Sequence, residues 1–297
     1  MSAAVEDAVF YHSARVEPFQ TGDATLALRR FGSGPALLLI HGFPLHGFTW
    51  RKLLPELSRH FTCYVVDLAG KGDSEWSAAT DFSFAAHARR LKQLVDHLGL
   101  QRYNLMGQDT GATIARCLAL IDLKRVEKMV LINTEMPGHR PPWIQLYQMM
   151  MRLPGAAFVF RLQLRLRWFV RSGMGFGGCF SNLDLLNGEF HEQFIAPYIH
   201  SQHRTDGMAR YLMGIPWDVV DSLKQRHQEL SMPVLLVWGE DDPTFPIQLA
   251  REMTGQFPDC RGLVAIPQTK LLPHEERAPA VLTAVLPFLT PATKLAA

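Results

Sequence analysis

Strands alternating with helices, each strand an unbroken apolar run, predict an α/β fold with a mostly parallel sheet flanked by helices on both faces. Apolar runs at residues 36–40, 128–133 and 234–238 have the length and continuity of strands covered on both sides. Helical spacing separates them, with Ala85, Ala88, Leu91, Leu94, Val95 and Leu98 forming one stripe. From residue 136 to 231 the pattern turns helical only, so a helical cap inserted into one core is expected. The expected division is a first core part at 1–135, the cap at 136–231 and a second core part at 232–297.

Composition narrows the partners. The 297 residues are 47% apolar and 20% charged, ordinary for a soluble globular chain able to bury a large core. A net charge of +2 with mixed signs gives no field to gather nucleic acid, so a small-molecule partner is expected. Cys63, Cys117, Cys179 and Cys260 lie far apart, and Cys63 and Cys117 sit in apolar patterns, as buried thiols in a reducing compartment do. No metal site or cofactor follows from them. The opening residues carry acids instead of a basic leader, and no apolar run has membrane-spanning length. A cytoplasmic protein without a membrane partner is expected, with a homodimer left open.

Taken in order, residues 24–31 alternate as an early antiparallel strand. The run 36–40 leads into His41-Gly42-Phe43-Pro44, where the glycine lets the backbone turn and the amide of Phe43 could point into a cleft as an anion-stabilising donor. An ordinary turn after a strand explains the tetrapeptide equally well. Residues 50–59 read as a helix and 63–67 as a strand. The loop Gly70-Lys71-Gly72-Asp73-Ser74 lacks phosphate-cradle spacing. His87 and His97 fall off the apolar stripe of 84–98 and read as solvated.

Residues 103–112 are the hub. An apolar run ends at Gly107, Asp109 follows, Gly111 comes next, and a helical pattern begins at once. That is the strand, sharp turn and helix of a nucleophile elbow, whose central residue stands strained above the sheet. The bland reading makes Asp109 a helix N-cap.

Beyond the elbow, residues 128–133 end at Asn133-Thr134-Glu135. The cap is rich in Met and aromatic residues. Its Arg161-Leu162-Gln163-Leu164-Arg165-Leu166-Arg167-Trp168 run reads as a cap face with solvated arginines, a membrane-surface role being the lesser reading. After the strand 234–238, Glu240, Asp241 and Asp242 cluster at a strand's carboxyl end, where open sheets collect catalytic groups. The last strand, 262–266, precedes a loop holding His274, the one histidine available there, and a closing helix to about Leu289.

These pieces in this order resemble an α/β-hydrolase over nearly the whole chain. Asp109 in the nucleophile position is similar to the branch containing epoxide hydrolases, haloalkane dehalogenases and fluoroacetate dehalogenases. The resemblance implies attack of an ionised carboxylate on carbon, leaving an alkyl ester that water hydrolyses. The amides of Phe43 and Thr110 would hold the oxyanion, and Asp242 would orient a histidine base, with Asp241 and Glu135 as other locations for that acid. Laid without gaps from Pro267, the family's usual Pro-x-x-Gly-His places Lys270 at the glycine and Leu271 at the base. His274 is the first candidate base and Lys270 the second; loss of ester hydrolysis is the third outcome. Thr110 and Phe43 occupy positions where haloalkane dehalogenases hold halide, so epoxide opening leads and dehalogenation follows. A ligand-binding or non-hydrolytic homologue is a further reading. Trp143, Tyr147, Tyr198 and Tyr211 are the candidate cap contacts to substrate, the tyrosines being able to protonate an opening ring.

Overall fold

The computed structural model describes residues 3–290. Nine strands form one sheet: β1 (Glu17–Gln20), β2 (Ala24–Phe31), β3 (Ala36–Ile40), β4 (Thr62–Asp67), β5 (Glu75–Trp76), β6 (Tyr103–Gln108), β7 (Val126–Ile132), β8 (Val234–Gly239) and β9 (Cys260–Ile266). Their spatial order is β1-β2-β4-β3-β6-β7-β8-β9, with β5 on β2. β1, β2 and β5 pair antiparallel. From β4 to β9 every pairing is parallel.

The apolar runs are strands because helices cover both faces of the sheet. Leu37 to Ile40, Leu105, Met106 and Met129 to Ile132 have no exposed surface. At about 25 cal/mol per Å² of apolar surface removed from water, such strands supply the main favourable term of folding. The helix at 84–98 is found at Phe84–His97, capped by Ser83, whose side chain accepts from the Ala86 amide. Residues 50–59 are less regular than expected. A 3-10 turn spans Gly47–Trp50, and the following helix, Leu54–Leu57, carries Pro55 in its first turn, where proline fits. An N-terminal helix, Ala3–Ser13, had no clear signal; it buries Tyr11 against Phe31 and Phe48.

Between β7 and β8 the chain is helical without strands, from Pro142–Met150 through Trp217–Arg226. Three of its bonds to the rest of the protein fall just past the carboxyl ends of β3, β4 and β6. Tyr198 donates to the Pro44 carbonyl (2.5 Å), Arg204 to that of Gly72 (2.5 Å), and Tyr211 meets Thr110 at 3.0 Å. The helical segment is therefore tied over the sheet edge that carries Asp109. The four cysteines are free, with Cys63 and Cys117 buried and Cys179 and Cys260 half-buried.

Candidate active site

Asp109 sits between β6 and the helix Thr110–Ile121 with φ 52° and ψ −132°, a conformation a non-glycine residue adopts only under constraint. Its amide is shared between the carbonyls of Ile132 (3.0 Å) and Asn133 (2.8 Å). Thr134 donates to its carbonyl at 2.9 Å. The flanking glycines are required by close backbone approach. A Cβ on Gly107 would lie 2.6 Å from the Ala112 Cα, and one on Gly111 2.3 Å from the His41 carbonyl oxygen. Across the turn, a Cβ on Gly42 would lie 2.5 Å from the Asp109 Cβ, so the His41–Pro44 loop packs directly on the elbow. Asp109 makes no side-chain cap bond to its helix, which removes the N-cap reading.

The Phe43 amide donates to Asp109 Oδ2 at 2.7 Å. Burial nevertheless pushes the Asp109 carboxyl well above the usual range, the nearby Glu135 adds to this, and the amides of Thr110 and Phe43 oppose it. The resemblance implies an ionised carboxylate, whereas Asp109 is only 5% exposed and its burial favours the protonated form. His41 braces the loop. Its Nε2 accepts from the Leu68 amide (2.9 Å) and its Nδ1 meets the Gly42 carbonyl (3.0 Å).

Behind the elbow lies a buried polar cluster. Thr113 donates to Glu135 at 2.6 Å, and Arg116 reaches Thr113 (2.6 Å), Thr134 (2.9 Å) and the Glu135 carbonyl (2.8 Å). On the other side, Asn133 holds two elements together: its Nδ2 donates to Asp242 (2.7 Å) and its Oδ1 accepts from the Gly239 amide (2.8 Å). Asp242 also accepts from the Thr244 amide (2.8 Å). Burial raises its carboxyl to about 6 against those bonds. Asp241, by contrast, is exposed.

Tyr211 stands over this edge. Its hydroxyl meets Thr110 Oγ1, and its ring stacks on Phe43 with centroids 5.5 Å apart. Beside it, Lys71 is buried with no carboxylate partner among the described residues. Its ammonium position lies 4.9 Å from the Phe43 ring centroid, 5.2 Å from that of Tyr211 and 5.3 Å from that of Tyr198, and it donates to the Tyr198 hydroxyl at 3.3 Å. Burial pulls its pKa well below the usual value.

The model of the alpha/beta hydrolase fold matches residues 35–277, most of the chain. The chain belongs to the alpha/beta hydrolase fold family. It is 27% identical over 257 residues to haloalkane dehalogenase 2 of Mycobacterium tuberculosis, covering 86% of this chain and 88% of that one. It is 32% identical over 130 residues to the soluble epoxide hydrolase of a Corynebacterium species, covering 44% of this chain and 43% of that one. Among solved structures, haloalkane dehalogenase DbeA from Bradyrhizobium elkani superposes with a TM-score of 0.75 at 22% identity, covering 92% of this chain and 97% of that one.

Within this hydrolase fold, several expected site residues meet and others do not. Asp109, Phe43, Thr110, Asp242 and Tyr211 converge, and Tyr198 supports Lys71 and the Pro44 carbonyl. His274 does not join them. It is buried against the Trp50 ring, its Nε2 within 2.7 Å of Thr49 Oγ1, and burial lowers it to about 4. No hydrogen bond links it to Asp109 or Asp242 among the described residues. Pro273 starts the helix Pro273–Glu276 there, which turns His274 toward the Gly47–Trp50 turn and leaves Leu271 buried near the elbow, its carbonyl reached by Gln108 at 3.4 Å. We expect His274→Ala to lower thermal stability through loss of packing while leaving any product release at Asp109 unchanged, read by melting and turnover together.

Glu135 is also corrected: it meets Thr113, Thr134 and Arg116 below the elbow and orients no imidazole. Lys270 lies near the site, its charge bearing on Cys179 as those of Asp109 and Asp242 do, but its ammonium makes no hydrogen bond among the described residues. Tyr147 donates to the Met174 carbonyl and packs on Phe160, so it holds helices together instead of facing Asp109. Trp143 is half-buried on the Pro142–Met150 helix with no hydrogen bond. His87, read as solvated, is 1% exposed under Tyr211, with neither ring nitrogen bonded.

Proposed function

We propose that the protein is a hydrolase that opens a small apolar epoxide by attack of Asp109 on carbon, and that Asp242 takes the place of the missing imidazole as base. The Asp109 oxygen forms a bond to the epoxide carbon while the ring C–O bond breaks. The ring oxygen takes a proton from Tyr211, whose phenol burial holds protonated. Water then attacks the ester carbonyl and gives its proton to Asp242, with the Phe43 and Thr110 amides bonding the oxyanion. Collapse breaks the ester C–O bond; the expelled alkoxide takes the proton of the new Asp109 carboxyl, which returns the carboxylate and releases a diol, and the proton held by Asp242 passes to the Tyr211 phenolate, restoring both groups.

The observation that carries this reading is the position of Tyr211, a buried hydroxyl held over Thr110 and Phe43, where a leaving alkoxide needs a proton. A soluble epoxide hydrolase among the relatives supports it. Halide release is the second reading, favoured by the relative with the greater coverage, haloalkane dehalogenase 2. A base with a pKa near 6 suits neutral operation.

Incubation with matched epoxides and haloalkanes, followed by intact mass and product analysis, separates these readings. Epoxide turnover is expected to rise with pH through about 6 and through the raised Asp109 value, without the alkaline fall that an imidazolium donor would give. Product from haloalkanes alone would select the second reading. No adduct and no product on either panel would leave ligand binding.

A further inference from the structure

Nine of the thirteen large apolar side chains exposed among the described residues fall between Leu146 and Met174. Leu153 is 64% exposed, Phe158 51% and Trp168 69%. Single exposed apolar residues are ordinary, but such a concentration on one short segment marks an interaction surface. On the helix Ala156–Gln163, Phe158, Val159 and Leu162 share one outward face, while Phe160 turns inward onto Tyr147 and Phe169.

Charge is sorted with the same sharpness. From Met136 to Asn182 there is no aspartate or glutamate and no lysine, yet six arginines, in a chain whose net charge is only +2. Four of them lack a carboxylate partner among the described residues. The guanidinium groups of Arg152 and Arg165 make no hydrogen bond or ion pair there, Arg167 reaches the Asn187 amide oxygen at 3.0 Å, and Arg161 reaches the Ile199 carbonyl and the Gln202 amide oxygen. Arg165, Arg167, Arg171 and His191 rim a hollow of about 270 Å³ whose floor is Leu164, Val170 and Leu186. Exposed Trp, Phe and Leu beside unpaired guanidinium groups match the boundary of a lipid bilayer, where the rings enter the acyl edge and arginine meets phosphate.

We propose that this face docks on the surface of an anionic phospholipid bilayer, with the arginine-rimmed hollow receiving a lipid phosphate. A second copy of this chain fits less well, because an isologous contact would set arginines against arginines. The protein would lie on the bilayer: no helix among the described residues is long and apolar enough to cross one. The proposal stands apart from the reaction at Asp109 and does not depend on it.

Co-sedimentation with vesicles of phosphatidylcholine alone, or mixed with phosphatidylglycerol, tests it. Wild type should partition onto the mixed vesicles, and less so as salt rises. Arg165→Glu with Arg167→Glu should weaken partitioning by at least about 25-fold, the loss expected from removing two basic side chains near an anionic surface, with the new carboxylates adding repulsion. Phe158→Asp with Trp168→Asp should weaken it as well, whereas Val5→Asp, exposed elsewhere, should change nothing. Unchanged melting temperatures would show that every variant is folded. Absence of binding to mixed vesicles at low salt, or binding that both double variants retain, would overturn the proposal. So would a concentration-dependent dimer, broken by the double variants, in a protein that ignores vesicles.

Discussion

Leu271→His is expected to raise the rate of ester release from Asp109 by about 10²–10⁴-fold, the usual contribution of a positioned general base. Leu271 is 7% exposed, its carbonyl lies within reach of Gln108, and the preceding residue packs its carbonyl against Gly239 at the end of β8. An imidazole there would stand on the sheet edge shared by Asp109 and Asp242. Asp242, fixed by Asn133 and Thr244, would change from base to the group that orients the ring and stabilises its charged form. Wild type, relying on a carboxylate alone, should accumulate alkyl-enzyme under single turnover, and the variant should clear it. Rapid quench with intact mass gives both rates. Adding Asp242→Asn to Leu271→His should remove most of the gain, because the ring then loses its partner. If Leu271→His clears the adduct no faster than wild type while still folding, position 271 does not face the ester and the proposed site geometry is wrong. Replacing a buried leucine by histidine should also cost about 1–3 kcal/mol in stability, so melting must be followed alongside.

What the sequence disclosed and what it hid divide along a physical line. The runs at β3, β7 and β8 were legible because a strand covered on both faces is apolar throughout, whatever lies further along the chain. The elbow was legible because its backbone approach demands Gly107 and Gly111 within four positions of each other. The misread residues depend on contacts between segments far apart. His87 lies off its helix's apolar stripe, yet Tyr211 comes down on it from the helix Gln202–Met213. Lys71 belongs to a polar loop and is enclosed by Phe43, Tyr198 and Tyr211. His274 lies in the last loop, where the short helix beginning at Pro273 decides where it points. Asn133 directly follows β7 with φ 27°, a conformation asparagine tolerates better than most residues, and its amide joins β8 and Asp242.

Asp109→Asn is expected to abolish adduct formation and, at neutral pH and above, to stabilise the fold by about 1–2 kcal/mol, the range typical of relieving a strained functional site. The chemical half follows from the loss of the nucleophilic oxygen's charge; the carboxamide oxygen still accepts from Phe43. The stability half follows from linkage. Burial first, and the Glu135 charge second, raise the Asp109 pKa above its unfolded value of 3.8. A carboxyl raised in this way holds its proton more tightly in the folded state. Its contribution to stability is therefore greatest at low pH and declines as pH climbs from the unfolded pKa through the folded one, the reverse of a salt-bridged aspartate. Asp242, raised to about 6, acts in the same direction between about pH 4 and 6. Wild type should accordingly lose stability across this window relative to Asp109→Asn, and the gap should widen with pH until Asp109 is fully ionised. Urea unfolding at a series of pH values measures the gap. A constant difference across that series would show that Asp109 titrates normally in the fold, and burial would no longer account for its part in stability.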